Sequence, residues 1–200
     1  HRNELAVHLR QQCTHNIGII IPAIITTFYM TFIDEAQTIL RKQGYKVMIA
    51  ISSENPEQER ENLLMMEQLR VDGILMSVCD KDQNVDLYNK VIERGIPIVF
   101  FDRTVEGVQA SQVRMDDYIM AFFMVEALLR KGYKHILHIP GPAYIRNSRE
   151  RLRGYRDALE KFHVAYQAQD ILQPALSAEE GSRVMEQYLK KNISFDAVFG

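Results

Sequence analysis

Residues 17–51, IGIIIPAIITTFYMTFIDEAQTILRKQGYKVMIAI, decide the fold. Ile17-Gly18-Ile19-Ile20-Ile21 is an unbroken apolar run, the pattern of a strand buried on both faces. Pro22 stops it, because proline cannot donate to a ladder. From Phe28 to Gln43 the residues Phe28, Phe32, Ala36, Ile39 and Leu40 fall at helical spacing, and Gly44 supplies a C-terminal stop. Tyr45 to Ile51 then returns to strand. Strand, covering helix and strand make a βαβ unit, the building block of a parallel sheet.

Outward from this unit the alternation continues. Asn55-Pro56 opens a helix with Asn as N-cap and Pro in the first turn, and Leu63, Leu64, Met66 and Leu69 form its apolar face. Strands follow at Gly73–Val78 and Ile96–Phe101, separated by a helix over Val85–Arg94 that ends at Gly95. The stretch 104–116 is irregular, with a short strand around Gln112–Met115, and is the natural boundary between two lobes. Beyond it come a helix over Tyr118–Lys131, a strand over His135–Ile139 and a helix over Asn147–Phe162. Ser177 and Glu180 form a capping box for a helix reaching about Lys191. The final strand, Asp196–Gly200, lacks a helix to cover it, so the second lobe reads as incomplete. The expected organisation is 1–15 as a leading segment, 16–115 as the first lobe and 116–200 as the second.

Bulk properties narrow the function. Two hundred residues allow one large domain or two small lobes. Lys and Arg total 24 against 26 Asp and Glu, so most of this chain is not a broad nucleic-acid-reading face, which would be basic. Cys13 and Cys79 match no metal or redox spacing and fit a reducing compartment. Residues 1–16 contain no apolar signal-peptide core, and no stretch spans a bilayer. No nucleophile elbow, Walker loop, G-x-G-x-x-G or zinc-protease motif is present, so the chain reads as a non-enzyme without a cofactor. His1, His8 and His15 have spacings that suit no closed metal site, and His135 and His138 point to opposite faces of a strand.

Three stretches together resemble the LacI/GalR family of transcription regulators. Asn3-Glu4-Leu5-Ala6-Val7-His8-Leu9-Arg10, leading through Thr14-His15-Asn16 into the first strand, looks like the family's hinge helix. Ile96-Pro97-Ile98-Val99-Phe100-Phe101-Asp102-Arg103 is similar to the strand that delivers an aspartate to the ligand cleft. His138-Ile139-Pro140-Gly141-Pro142 through Asn147-Ser148-Arg149-Glu150-Arg151-Leu152-Arg153-Gly154-Tyr155 is close to the family's cleft loop and helix. The resemblance covers nearly the whole chain. It implies an α/β fold of two Rossmann-like lobes, periplasmic-binding-protein-like of type I, around an effector cleft, with a helix-turn-helix domain upstream of His1.

Physical chemistry and the resemblance together select the site. Ligands of open parallel sheets bind beyond the carboxyl ends of the strands, here the loops after Pro22, Val78, Phe101 and Pro140. Phe28 and Tyr29 offer an aromatic to stack on an effector; Phe28 is also a core candidate, while Tyr29 faces the cleft. Asp102, at a strand end, suits a pair of sugar hydroxyls or a base N–H pair, against the plainer role of capping a turn. Ser77 is a second strand-end candidate. Asn147 and Arg151, four apart at a helix start, share a face and can converge on one ligand, whereas Arg149 and Arg153 point elsewhere. Asn147 has an alternative role as a helix cap. In the hinge, the resemblance makes Asn3, Ala6 and Leu9 DNA-contacting, with Leu9 as a wedge between base steps; the alternative is a terminal helix packed on its own lobe.

The expected function is a cytoplasmic, homodimeric regulator, a repressor of operator DNA controlled by a sugar or sugar derivative bound between the lobes, with no membrane partner. The rivals are a periplasmic sugar-binding transport receptor of the same fold and an α/β enzyme with a cleft active site.

Overall fold

The computed structural model describes residues 13–24, 27–79, 83–174 and 176–200. The chain divides into two compact units, His1–Arg114 and Met115–Gly200. The hinge residues Asn3, Ala6 and Leu9 lie outside the described residues.

In the first unit, β1 (Asn16–Ile21), β2 (Lys46–Ile51), β3 (Gly73–Met76), β4 (Ile98–Phe101) and β5 (Ser111–Val113) form one parallel sheet in the order β2-β1-β3-β4-β5. The connecting helices are α1 (Thr27–Lys42), α2 (Pro56–Gln68) and α3 (Val85–Glu93). β1 is an interior strand, with Ile19 opposite both Ile49 and Leu75, which is why its apolar run is unbroken. Its alternation divides the core. Ile20 joins Leu63, Met66, Met76, Tyr88 and Phe100, while Ile19 and Ile21 face Tyr29 and Phe101. Gly18 sits at a tight crossing, where a Cβ would stand 3.0 Å from the Met66 sulfur and that side chain would have to shift. Asn55 caps α2 by accepting from the amides of Glu57 and Gln58. The element spanning 73–78 in the sequence reading leaves the sheet at Met76, because the Val78 amide turns to the carbonyl of Arg103.

The second unit contains α4 (Asp117–Arg130), β6 (Ile136–His138), α5 (Arg146–Lys161), a single 3-10 turn at Ala168–Asp170, α6 (Ala178–Leu189) and β7 (Ala197–Phe199). β6 and β7 pair in parallel, and Ile171 makes one further bridge to His138. Ser177 caps α6 through the Glu180 amide. The main core lies between α4, α5 and the sheet: Ala121, Val125, Leu129, Ile136, Tyr155, Ala158, Leu159 and Phe199. Gly154 lets the two helices touch, because a Cβ would stand 2.4 Å from the Tyr118 carbonyl oxygen and 2.9 Å from the Phe122 nitrogen. Leu137, Leu172 and Tyr188 fill the other face. Among the described residues no helix is long and apolar enough to cross a membrane.

Candidate functional site

At the carboxyl ends of β3 and β4 the first unit gathers a polar cluster. Tyr29, near the start of α1, is only 5% exposed and donates its hydroxyl proton to Asp102 Oδ2 at 2.7 Å. That proton being committed, the hydrogen bond of 3.0 Å between Tyr29 and Ser77 is donated by the serine. Ser77, Tyr29 and Asp102 are thus one directed chain of hydroxyls ending on a carboxyl group. Burial, with the Asp102 charge adding to it, pushes the Tyr29 phenol well above its ordinary range and keeps it a donor. Asp102 adopts φ +58, a left-handed conformation that short polar side chains tolerate, and so turns sharply off the end of β4.

Beside it, Arg103 grips Glu54 through two parallel bonds, Nη1 to Oε2 at 2.8 Å and Nη2 to Oε1 at 3.0 Å. Burial works against the charge on Arg103, but its hydrogen bonds to Glu54 and the nearby Glu54 and Asp102 charges together outweigh it, so the guanidinium is held protonated even more firmly than usual. Glu54 and Ser53 both have φ above +50, so the loop after β2 is bent back to deliver that carboxylate. Deeper in, the fully buried Glu59 carboxyl accepts from the Cys79 amide at 2.7 Å, from Asn84 Nδ2 at 2.9 Å and from the Tyr88 hydroxyl. The backbone just after β3 is therefore pinned from beneath.

The aromatic pair is divided differently from the sequence reading. Phe28 is 50% exposed and Tyr29 is in the core, so the ring available at the surface is Phe28, packed edge-on against Tyr29 with centroids 5.2 Å apart. Phe32 takes the interior position instead, stacked on Phe101 at 3.8 Å. Ser77 is fully buried, which gives it the work of orienting Tyr29.

In the second unit Asn147 and Arg151 share the first turns of α5. Ile145 occupies the N-cap position, so Asn147 stands inside the helix and is not its cap. Arg151 Nε donates to Asp117 Oδ1 at 2.8 Å and remains half exposed. Arg149 turns back to the carbonyls of Ala143 and Tyr144, whereas Arg153 stays near Arg151, lying 4.3 Å over the ring of Tyr118, the residue next to Asp117. Under this helix His138 is fully buried between the rings of Tyr155 and Phe199. Its Nδ1 donates to the Phe199 carbonyl at 3.0 Å, which leaves Nε2 as an acceptor that no described protein group hydrogen-bonds. Desolvation, reinforced by Arg151, lowers its pKa to about 4, so the ring is neutral.

Glu54, Glu59 and Arg103 are not site candidates in the sequence reading, and His138 enters it only as a strand histidine that suits no metal site with His135. Arg103 and Glu54 are 49 residues apart in the chain, and only the parallel sheet brings their strand ends together. The one local signal was the Asp102-Arg103 adjacency.

The periplasmic binding protein domain model matches residues 17–200. The HTH-type transcriptional repressor PurR of Klebsiella pneumoniae (strain 342) is 26% identical over 98% of this chain and 57% of its own length. The sucrose operon repressor of Streptococcus mutans is 34% identical over 70% of this chain and 42% of its own. The chain thus spans about half the length of the curated relatives it matches. The crystal structure of the Cra transcriptional dual regulator from Pseudomonas putida, in complex with fructose 1-phosphate, superimposes with a TM-score of 0.81 at 23% identity, covering 92% of this chain and 68% of that one. The resemblance carried by the Asp102 strand and the Asn147–Tyr155 helix holds across the chain, which belongs to the periplasmic binding protein domain family.

Proposed function

We propose that this chain is the effector-binding part of a DNA-binding transcription repressor of the LacI/GalR type, controlled by a sugar or sugar derivative. The observation that carries the reading is the strand-end cluster of the first unit. The Ser77–Tyr29–Asp102 chain and the Arg103–Glu54 pair fix polar groups where open parallel sheets take ligands, next to an exposed aromatic, Phe28. Its relatives named as repressors, and the Cra structure with its sugar phosphate, support the same class. Asn147 and Arg151 are the second unit's own candidates. The DNA-contacting role stays with Asn3, Ala6, Leu9 and a helix-turn-helix domain upstream, in a cytoplasmic homodimer.

Calorimetry with a panel of pentoses, hexoses, disaccharides and sugar phosphates tests the proposal. One member binds, and Asp102→Asn and Phe28→Ala each weaken it by about tenfold or more. In the second unit Arg151→Ala weakens it about thirtyfold or more, while Arg153→Ala changes little. Equal binding by Arg151→Ala and Arg153→Ala removes the second unit's candidates, and no binding by any member removes the sugar class. With operator DNA, the full-length protein carrying Arg151→Ala no longer responds to the sugar.

A further inference from the structure

At the opposite, amino-terminal edge of the first sheet, Asp72 holds the segment that leads into β1. Its Oδ1 accepts the Thr14 amide at 2.7 Å and its Oδ2 the His15 amide at 2.8 Å. The second unit uses the same device: Asp196, just before β7, accepts the Lys134 and His135 amides at 2.8 and 3.0 Å, just before β6. Setting one clamp against the other isolates what is extra in the first. Where the second unit has Tyr133, the first has Cys13, whose thiol donates to Asp72 Oδ2 at 2.7 Å. The His135 ring is drawn away to Asp170, 3.0 Å distant. The His15 ring stays with the clamp, so one ligand atom from each of Cys13, His15 and Asp72 lies within 4.8 Å of the others. The clamp needs neither the thiol nor the ring.

We propose that Cys13, His15 and Asp72 form a three-ligand site for a borderline-soft divalent cation such as zinc. Thiolate, imidazole and carboxylate are the donor types zinc takes, and three protein ligands leave a fourth position for water. The backbone is fixed beforehand by the two amide bonds to Asp72, so few degrees of freedom are lost on binding. The Tyr45 ring, 5.5 Å from that of His15, walls the imidazole on one side. A cavity of about 430 Å³, lined by Cys13 and Asp72 together with Glu67, Arg70 and Arg94, opens onto two of the three ligands, with Arg94 held by Glu67 at 2.5 Å. On binding, the Cys13 S–H bond breaks, its proton passes to solvent, and sulfur bonds the metal; no electron transfer is involved. Zinc–sulfur and zinc–oxygen bonds of about 2.3 and 2.0 Å place the two ligand atoms about 3.5 Å apart. The partly exposed Cys13 side chain therefore swings outward by less than about 1 Å.

The test uses tag-free protein titrated with zinc against a chromophoric chelator, and with cobalt as a spectroscopic substitute. The expected result is one equivalent bound, a thiolate-to-cobalt charge-transfer band, and protection of Cys13 from alkylation by zinc as read by mass. Cys13→Ser keeps a hydroxyl donor for Asp72 and so folds; it loses the band and binds zinc at least about tenfold more weakly, as does His15→Ala. Circular dichroism verifies that both variants are folded. Absence of the band in the wild type, or zinc binding by Cys13→Ser and His15→Ala equal to wild type, overturns the site.

Discussion

Asp72 and Asp196 start the two sheets alike, each tying two successive amides of the neighbouring strand's lead-in. Beyond that the units diverge. The first spreads its core over both faces of five strands and gives its buried acid, Glu59, three donors. Among its described residues the second has two paired strands, leans on a helix pair in close contact at Gly154, and buries a histidine with one nitrogen bonded. The lesson concerns polar groups in a core. A fully partnered one locks a loop in place, whereas a partly partnered one is held by shape and makes its surroundings sensitive to protons.

Four measurements break or sharpen that contrast. Glu59→Ala has the largest expected effect, about 4 kcal/mol by urea denaturation, since it strands the Cys79 amide, Asn84 and Tyr88. Hydrogen exchange should rise in the loop after β3 and leave α5 unchanged; a loss below about 1 kcal/mol would mean water readily replaces the carboxyl. Gly154→Ala is next, at about 3 kcal/mol from the clash with the α4 backbone. Its exchange signature should be confined to the second unit. A neutral result would show that α4 and α5 can part without cost.

His138 supplies the third. Its folded pKa of about 4 lies below the ordinary 6.5, so the unfolded chain takes up the proton first. This contribution is complete above pH 6.5 and is lost as the pH falls toward 4. Between neutrality and pH 4.5 the loss is about 2–3 kcal/mol, and His138→Asn should remove that part of the acid sensitivity. A variant with the wild type's pH profile would locate the sensitivity elsewhere. The smallest effect is that of Asn55→Ala, about 1 kcal/mol from the lost cap of α2, seen as a lower Tm at any pH near neutrality.

Strand and helix periodicity made nearly all of the architecture legible, because each signal is local: Pro22 and Gly44 stop elements through their own backbone chemistry. β5 starts one residue and ends two residues before the expected Gln112–Met115, since its exposed Ser111-Gln112-Val113 carries no burial pattern. The 3-10 turn at Ala168–Asp170 and the bridge at Ile171 went unread for a similar reason, being set by partners far along the chain. At the candidate site Tyr29, Ser77 and Asp102 were marked one by one, yet their linkage into one hydrogen-bonded chain was not. Which of Phe28 and Tyr29 turns inward depends on Ser77 and Asp102 offering a polar end for the tyrosine, and helical spacing alone does not weigh that.

The strand order β2-β1-β3-β4-β5 also bears on how the chain is made. A chain leaving the ribosome presents β1 first, and β2 can dock on one of its edges as soon as α1 is out. β3 takes the other edge of β1, and β4 and β5 then extend that side in turn. Each strand after β1 meets a partner that already exists, although the β1 edge that takes β3 stays open while α1, β2 and α2 are made. β6 is placed similarly: Ile171 reaches it first, and the pairing with β7 waits through the rest of the turn region and α6. Vectorial synthesis therefore leaves one edge of β1 and one edge of β6 open longest, and it is at those two edges that a chaperone would find its window.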